Sequence, residues 1–146
     1  MYVAFCTNNK IHSFFIRWFT QSRYSHVALV KNNEVIDATF RYGVKKRQLL
    51  DLKTSYSLIE FREVPNLDEE KAWKFAENQI GKPYDWLSIL GIFFRRKWTS
   101  DISWFCSELI ACSLFEGGVT VIRKQANRVT PENLLNSPLI KPIGEK

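Results

Sequence analysis

The sequence predicts an α+β fold, and three observations carry that prediction. Segments of strand type and segments of helix type are mixed without regular β-α-β alternation. Two apolar strands flank a short asparagine-rich turn, which argues for antiparallel pairing. Later in the chain, apolar residues recur at helical spacing between recognisable start and stop signals. With 146 residues, 45% of them apolar and 14% aromatic, the chain is long enough to bury a sizeable core as one domain over 1–146.

Tyr2 to Cys6 reads as a short strand. Ile11, Phe14, Phe15, Trp18 and Phe19 recur at helical spacing. They predict an amphipathic helix that packs on the core, with an interfacial membrane helix as the alternative. His26–Val30 and Val35–Thr39 read as strands around Lys31-Asn32-Asn33-Glu34, where asparagine tolerates the positive φ of a tight hairpin. Residues 42–52 are basic and read as a loop leading to another strand. Tyr56–Val64 alternates as a strand. Asp68–Ile80 reads as a helix, opened by Asp68, Glu69 and Glu70, buried through Ala72, Trp73, Ala76 and Ile80, and closed by Gly81. Trp86–Phe94 reads as a second helix, ended near Gly91. Cys106–Phe115 reads as a third, with Ser103 as a candidate cap. Thr130 and Pro131 mark a capped turn over 130–135.

Twenty-one basic against fifteen acidic residues give a net charge of +6. This suits an anionic cell-wall polymer or a membrane surface without choosing between them. A basic, aromatic stretch (Arg41, Tyr42, Lys45, Lys46, Arg47) permits nucleic acid, but no nucleic-acid motif accompanies it, so nucleic acid is disfavoured. Three cysteines (Cys6, Cys106, Cys112) with no CxxC argue against a disulfide framework and a structural metal site, and no cofactor is implied. The N-terminus lacks the basic and apolar regions of a signal peptide, and the longest apolar stretch is too short for a membrane span. The expectation is therefore a protein cytoplasmic as synthesised, or delivered without a cleaved signal.

Cys106 opens a helix, where unpaired backbone N–H groups and the helix dipole favour the thiolate. His26 begins an apolar strand and supplies a base, the minimal pairing for nucleophilic acyl chemistry. With a two-residue turn at Asn32-Asn33, His26, Ala28, Val35, Asp37 and Thr39 share one sheet face. Asp37 then becomes the diagonal neighbour of His26 and the candidate to orient it. Glu34 falls on the other face, where it is expected to pair with Lys31. The backbone N–H of Cys106 is a natural oxyanion donor, and Tyr84 a candidate second one. Cys6 and Cys112 read as structural, and His12 as without a role.

Five segments appear in order: Tyr24-Ser25-His26-Val27-Ala28-Leu29-Val30, Val35-Ile36-Asp37-Ala38, Gly81-Lys82-Pro83-Tyr84-Asp85, Phe105-Cys106-Ser107-Glu108-Leu109-Ile110 and Val129-Thr130-Pro131-Glu132-Asn133-Leu134. Together they resemble the permuted papain-like amidases of the YaeF/YiiX type, relatives of the NlpC-type cell-wall cysteine peptidases. In this order the histidine strand precedes the cysteine helix. The resemblance implies a permuted papain-like (NlpC-like) fold, with an antiparallel sheet packed against the cysteine-bearing helix. It implies Cys106 as nucleophile, His26 as base and Tyr84 at the oxyanion site. The third position of the Val-Ile-x-Ala strand is often Glu in that family; here it is Asp37.

The function expected is a cysteine-dependent amidase or peptidase acting on a small peptide or amide, murein-type peptides among them. Two alternatives stand beside it. One is a lipid or small-molecule acyltransferase or thioesterase using the same dyad at a membrane surface, helped by Trp86–Phe94 and Arg95-Arg96-Lys97. The other is a non-catalytic binding module on the same fold.

Overall fold

A computed structural model describes residues 1–85, 104–121 and 129–144, and within the first helix it leaves out the side chains of His12, Phe15, Phe19 and Thr20. The expectations for Trp86–Phe94, Arg95-Arg96-Lys97 and Ser103, and for the side chains of His12, Phe15 and Phe19, lie outside the described residues.

In chain order the elements are β1 (Tyr2–Thr7), α1 (Ile11–Thr20), β2 (His26–Lys31), β3 (Glu34–Thr39), β4 (Gly43–Gln48), α2 (Leu49–Ser55), β5 (Leu58–Glu63), α3 (Glu69–Glu77), α4 (Cys106–Glu116), α5 (Pro131–Leu135) and β6 (Lys141–Pro142). The strands form one six-stranded sheet in the order β4-β3-β2-β1-β5-β6, and every pairing is antiparallel. The class is α+β.

The β2–β3 hairpin turns through Asn32 and Asn33, at φ 49° and 69°, the pair of left-handed residues a two-residue turn requires. Its register pairs Lys31 with Glu34, Val30 with Val35 and Leu29 with Ile36. The basic stretch read as a loop is instead β4 followed by α2. Asp51, in the first turn of α2, accepts the Gln48 backbone N–H at 3.2 Å and so caps that helix. The predicted Asp68–Ile80 helix is regular over Glu69–Glu77, with Asp68 as N-cap accepting the Lys71 N–H at 3.1 Å; Ile80, expected in its buried stripe, lies beyond the last regular turn and is exposed.

Two apolar cores lie on the two sheet faces. One joins Val3, Phe5, Val27, Leu29, Ile36 and Ala38 to Trp73, Leu109, Ile110 and Leu114 of α3 and α4. The other joins Ala4, Cys6, Ala28, Val30 and Val35 to Leu52 of α2. Leu109, Ile110 and Leu114 are fully buried, and each contributes about 1.5–3 kcal/mol by leaving water. Helix α1 departs from expectation. Ile11, Phe14 and Trp18, expected to be buried, are largely exposed. The expected Lys31–Glu34 ion pair is also replaced: Lys31 pairs with Glu70, and Glu34 with Lys46 at 2.8 Å.

Candidate active site

His26 is the first residue of β2, and its parity matches Ala28 and Val30, on the face away from α4. Because it sits at the strand end, its ring can meet Cys106, the first residue of α4, around the end of the sheet. Continuing the hairpin register makes Asp37 its diagonal neighbour, and the imidazole Nε2 lies 2.7 Å from Asp37 Oδ2. Both side chains are buried.

Burial alone would push the imidazole toward its neutral form. Hydrogen bonds that the ring donates to the Asp37 carboxylate and to Cys106 outweigh it, and the His26 pKa is pushed up to about 9. Burial likewise opposes ionisation of Asp37, but the His26 ring and the Arg47 guanidinium hold its carboxyl below the usual range. At neutral pH the site therefore holds an imidazolium beside a carboxylate.

Two further groups frame this pair. Arg47 donates from Nη2 to Asp37 Oδ2, and its guanidinium is almost entirely buried. Tyr56 stacks on the His26 ring at 5.2 Å with the planes 6° apart, fixing the ring plane. Sequence reasoning missed both. The signal for Arg47 was the strand itself: Asp37 lies opposite Lys45 and Val35 opposite Arg47, so Arg47 is diagonal to Asp37 once 43–48 is read as β4.

Tyr84 is buried and lies against the Cys106 thiol, to which it hydrogen-bonds; burial and the neighbouring Cys106 push its hydroxyl well above the ordinary range, so it remains a neutral donor. Its segment is clipped on both sides. Val44 N–H donates to Lys82 O at 2.9 Å and Gly81 N–H to Val44 O at 2.9 Å. On the other side Asp85 N–H donates to Trp104 O at 3.1 Å and Trp104 N–H to Pro83 O at 3.0 Å, two residues before Cys106.

The residue that precedes α4 as N-cap is Phe105, whose N–H is accepted by Glu108 at 3.5 Å. Ser107 Oγ donates to Val129 O. Thr130 and Asn133 cap α5 reciprocally at 3.2 Å, and Glu132 accepts the Arg23 N–H at 3.2 Å. The 129–133 segment thus ties the cysteine helix to the chain that leads into His26.

Cys6 lies directly opposite His26 across β1 and β2. It is buried, and burial followed by the Asp37 charge pushes its thiol far above the ordinary range. Cys112 is half-buried, and burial raises it to about 11. Both are held as neutral thiols. Cys106 has no exposed surface. A cavity of about 390 Å³ reaches the site at His26 and Tyr84, with Arg47 and Tyr56 in its wall.

No protein-family model and no curated protein sequence matches the chain. Among solved structures, the crystal structure of metalloprotein YiiX from Escherichia coli O157:H7 superimposes with a TM-score of 0.74 at 18% identity, covering 99% of this chain and 96% of that one. At that identity the likeness establishes a shared YiiX-type fold.

Proposed function

We propose that this chain is a cysteine-dependent acyl hydrolase of the permuted papain-like, YaeF/YiiX type, acting on an amide or peptide bond. The observation that carries the reading is the buried His26, held by Asp37 on one side and in contact with Cys106 on the other. A buried ion pair is costly to assemble for stability alone. A thiol placed against an imidazole can pass its proton to the ring and attack as the thiolate.

In the proposed reaction the Cys106 proton resides on His26, and the thiolate attacks the substrate carbonyl. The backbone N–H of Cys106 and the Tyr84 hydroxyl receive the oxyanion. As the tetrahedral species collapses, His26 delivers its proton to the departing amine and a thioester remains. Water, deprotonated by His26, then attacks the thioester. The acid is released and the thiol restored. Asp37 keeps the imidazole in one tautomer and stabilises its charged form.

The similar structure is described as a metalloprotein, so the same residues can be asked whether they suit a metal. Asp37 Oδ2 already accepts from both His26 and Arg47, and the Arg47 cation beside it would repel a divalent ion. Among the described residues no group of three His, Cys, Asp or Glu side chains is placed to hold one. These residues do not fit a metal centre.

Iodoacetamide, small enough for the cavity, tests the dyad when alkylation is mapped to each cysteine at neutral pH. Cys106 should react much faster than Cys6 and Cys112, and His26→Ala should remove the advantage. Equal reactivity of the three thiols, or no effect of His26→Ala, sinks the nucleophile assignment.

A further inference from the structure

We propose that the mouth of the site cavity docks on an anionic membrane surface. Helix α1 places Ile11, Phe14 and Trp18 on one stripe, spaced i, i+3, i+7, and they are 77%, 58% and 63% exposed. A second exposed pair, Phe40 at 48% and Tyr42 at 61%, occupies the turn between β3 and β4. Both structures border the same opening. Lys10 and Ile16 line the cavity from the α1 side, and Phe40, Arg41, Tyr42 and Lys45 line it from the turn.

Among the described residues the charge at this mouth has one sign. No Asp or Glu lines the cavity among the described residues. Arg47 is committed to Asp37. Lys10, Arg41 and Lys45 stand in no ion pair among the described residues. Arg41 and Lys45 instead flank the Tyr42 ring, at 5.5 and 4.5 Å from its centre.

Exposed apolar side chains on a helix and a turn that border one opening mark an interaction surface. Water-facing cations interleaved with amphipathic aromatics select its chemistry. Aromatic rings settle at the headgroup level, and each Lys or Arg adds attraction to acidic lipid. A protein partner of ordinary composition would not require three cations around one opening that stand in no ion pair among the described residues; an acidic bilayer is met by all of them at once. Docked this way, the cavity opens toward the lipid surface, where an acyl substrate could enter without crossing water. The docking itself is independent of the catalytic reading, so Cys106→Ala should bind as the wild type does.

The test is co-sedimentation of the full chain with phosphatidylserine–phosphatidylcholine vesicles and with pure phosphatidylcholine vesicles. Binding is expected to the acidic vesicles and to weaken with salt. Phe14→Ser/Trp18→Ser and Arg41→Glu/Lys45→Glu should each lower it by about tenfold or more. These side chains are exposed, so circular dichroism should show both variants folded. If a variant misfolds, Trp18→Ser and Lys45→Glu alone serve in its place. Failure of the wild type to bind acidic vesicles overturns the proposal, as does binding that neither variant changes. Self-association in solution that the Phe14/Trp18 variant abolishes, with no vesicle binding, would assign the face to a second copy of this chain instead.

Discussion

The most consequential single interaction is the one Asp37 makes twice, accepting from His26 and from Arg47 through the same oxygen. The two partners compete for its charge, and this sets the sign of each substitution. Asp37→Asn removes the negative charge and leaves the Arg47 guanidinium buried without a counter-ion, so stability should fall by about 3–5 kcal/mol. The His26 pKa should fall toward its ordinary value at the same time. Arg47→Met acts oppositely on the ring. Asp37 then answers to His26 alone, and the imidazolium should be held more tightly. The double variant Asp37→Asn/Arg47→Met should recover part of the lost stability while leaving Cys106 slow to alkylate. NMR titration of His26 and urea unfolding of all three variants measure these effects. A His26 pKa that rises in Asp37→Asn would contradict the assignment of Asp37 as the orienting anion.

At the scale of elements, the β4 entrance positions Tyr84. Gly43 adopts φ +68°, and a Cβ there would lie 2.2 Å from the Lys82 carbonyl oxygen. That close approach lets Val44 bond Lys82 and lets Gly81 bond Val44, two bonds that hold the Gly81–Tyr84 segment. Gly81 also has positive φ, at +90°, but open space where its Cβ would be. Gly81→Ala should therefore cost only the backbone penalty of about 1–2 kcal/mol. Gly43→Ala should cost clearly more and also slow Cys106 alkylation by displacing Tyr84. Equal losses of melting temperature in the two variants would refute the clamp.

The same region shows what could and could not be read from the chain. The β2–β3 register was legible because Asn32-Asn33 specifies a two-residue turn and strand parity then follows without further information. That arithmetic placed Asp37 beside His26. Strand β4 was hidden because Val44 is its one buried apolar side chain beside a buried Gly43, while Lys45, Lys46 and Arg47 give both faces the same charge. Arg47 was lost with it, whereas Tyr56 was read into the following strand and instead closes α2. Helix α1 was legible as a helix, but periodicity reports a stripe and not the face it meets. The exposed Ile11, Phe14 and Trp18 could not be told from core residues by spacing.

Across the whole molecule, the site joins two cores that share only the sheet. Asp37, His26 and Cys6 belong to the face covered by α2, and Cys106 to the face covered by α3 and α4. Their contact at the sheet end couples the site's ionisation to global stability, and the sign follows from the shifts. The His26 pKa is raised from 6.5 to about 9 in the folded chain. Its stabilisation is fully present below about pH 6.5 and is lost as pH climbs through about 9. Asp37 is shifted downward, so its contribution is present above the ordinary carboxylate range and is lost as acid protonates it. Cys6 and Tyr56, buried and neutral, add losses only in more alkaline solution, above their unfolded values. The interval from about pH 6.5 to about pH 9 therefore belongs to His26 among these four. The melting temperature should decline across it, and His26→Ala should flatten that decline while lowering stability at its acidic end. A decline of unchanged slope in His26→Ala would mean that other groups set the alkaline limb, and that the imidazolium at the heart of the site is not the charge the fold depends on.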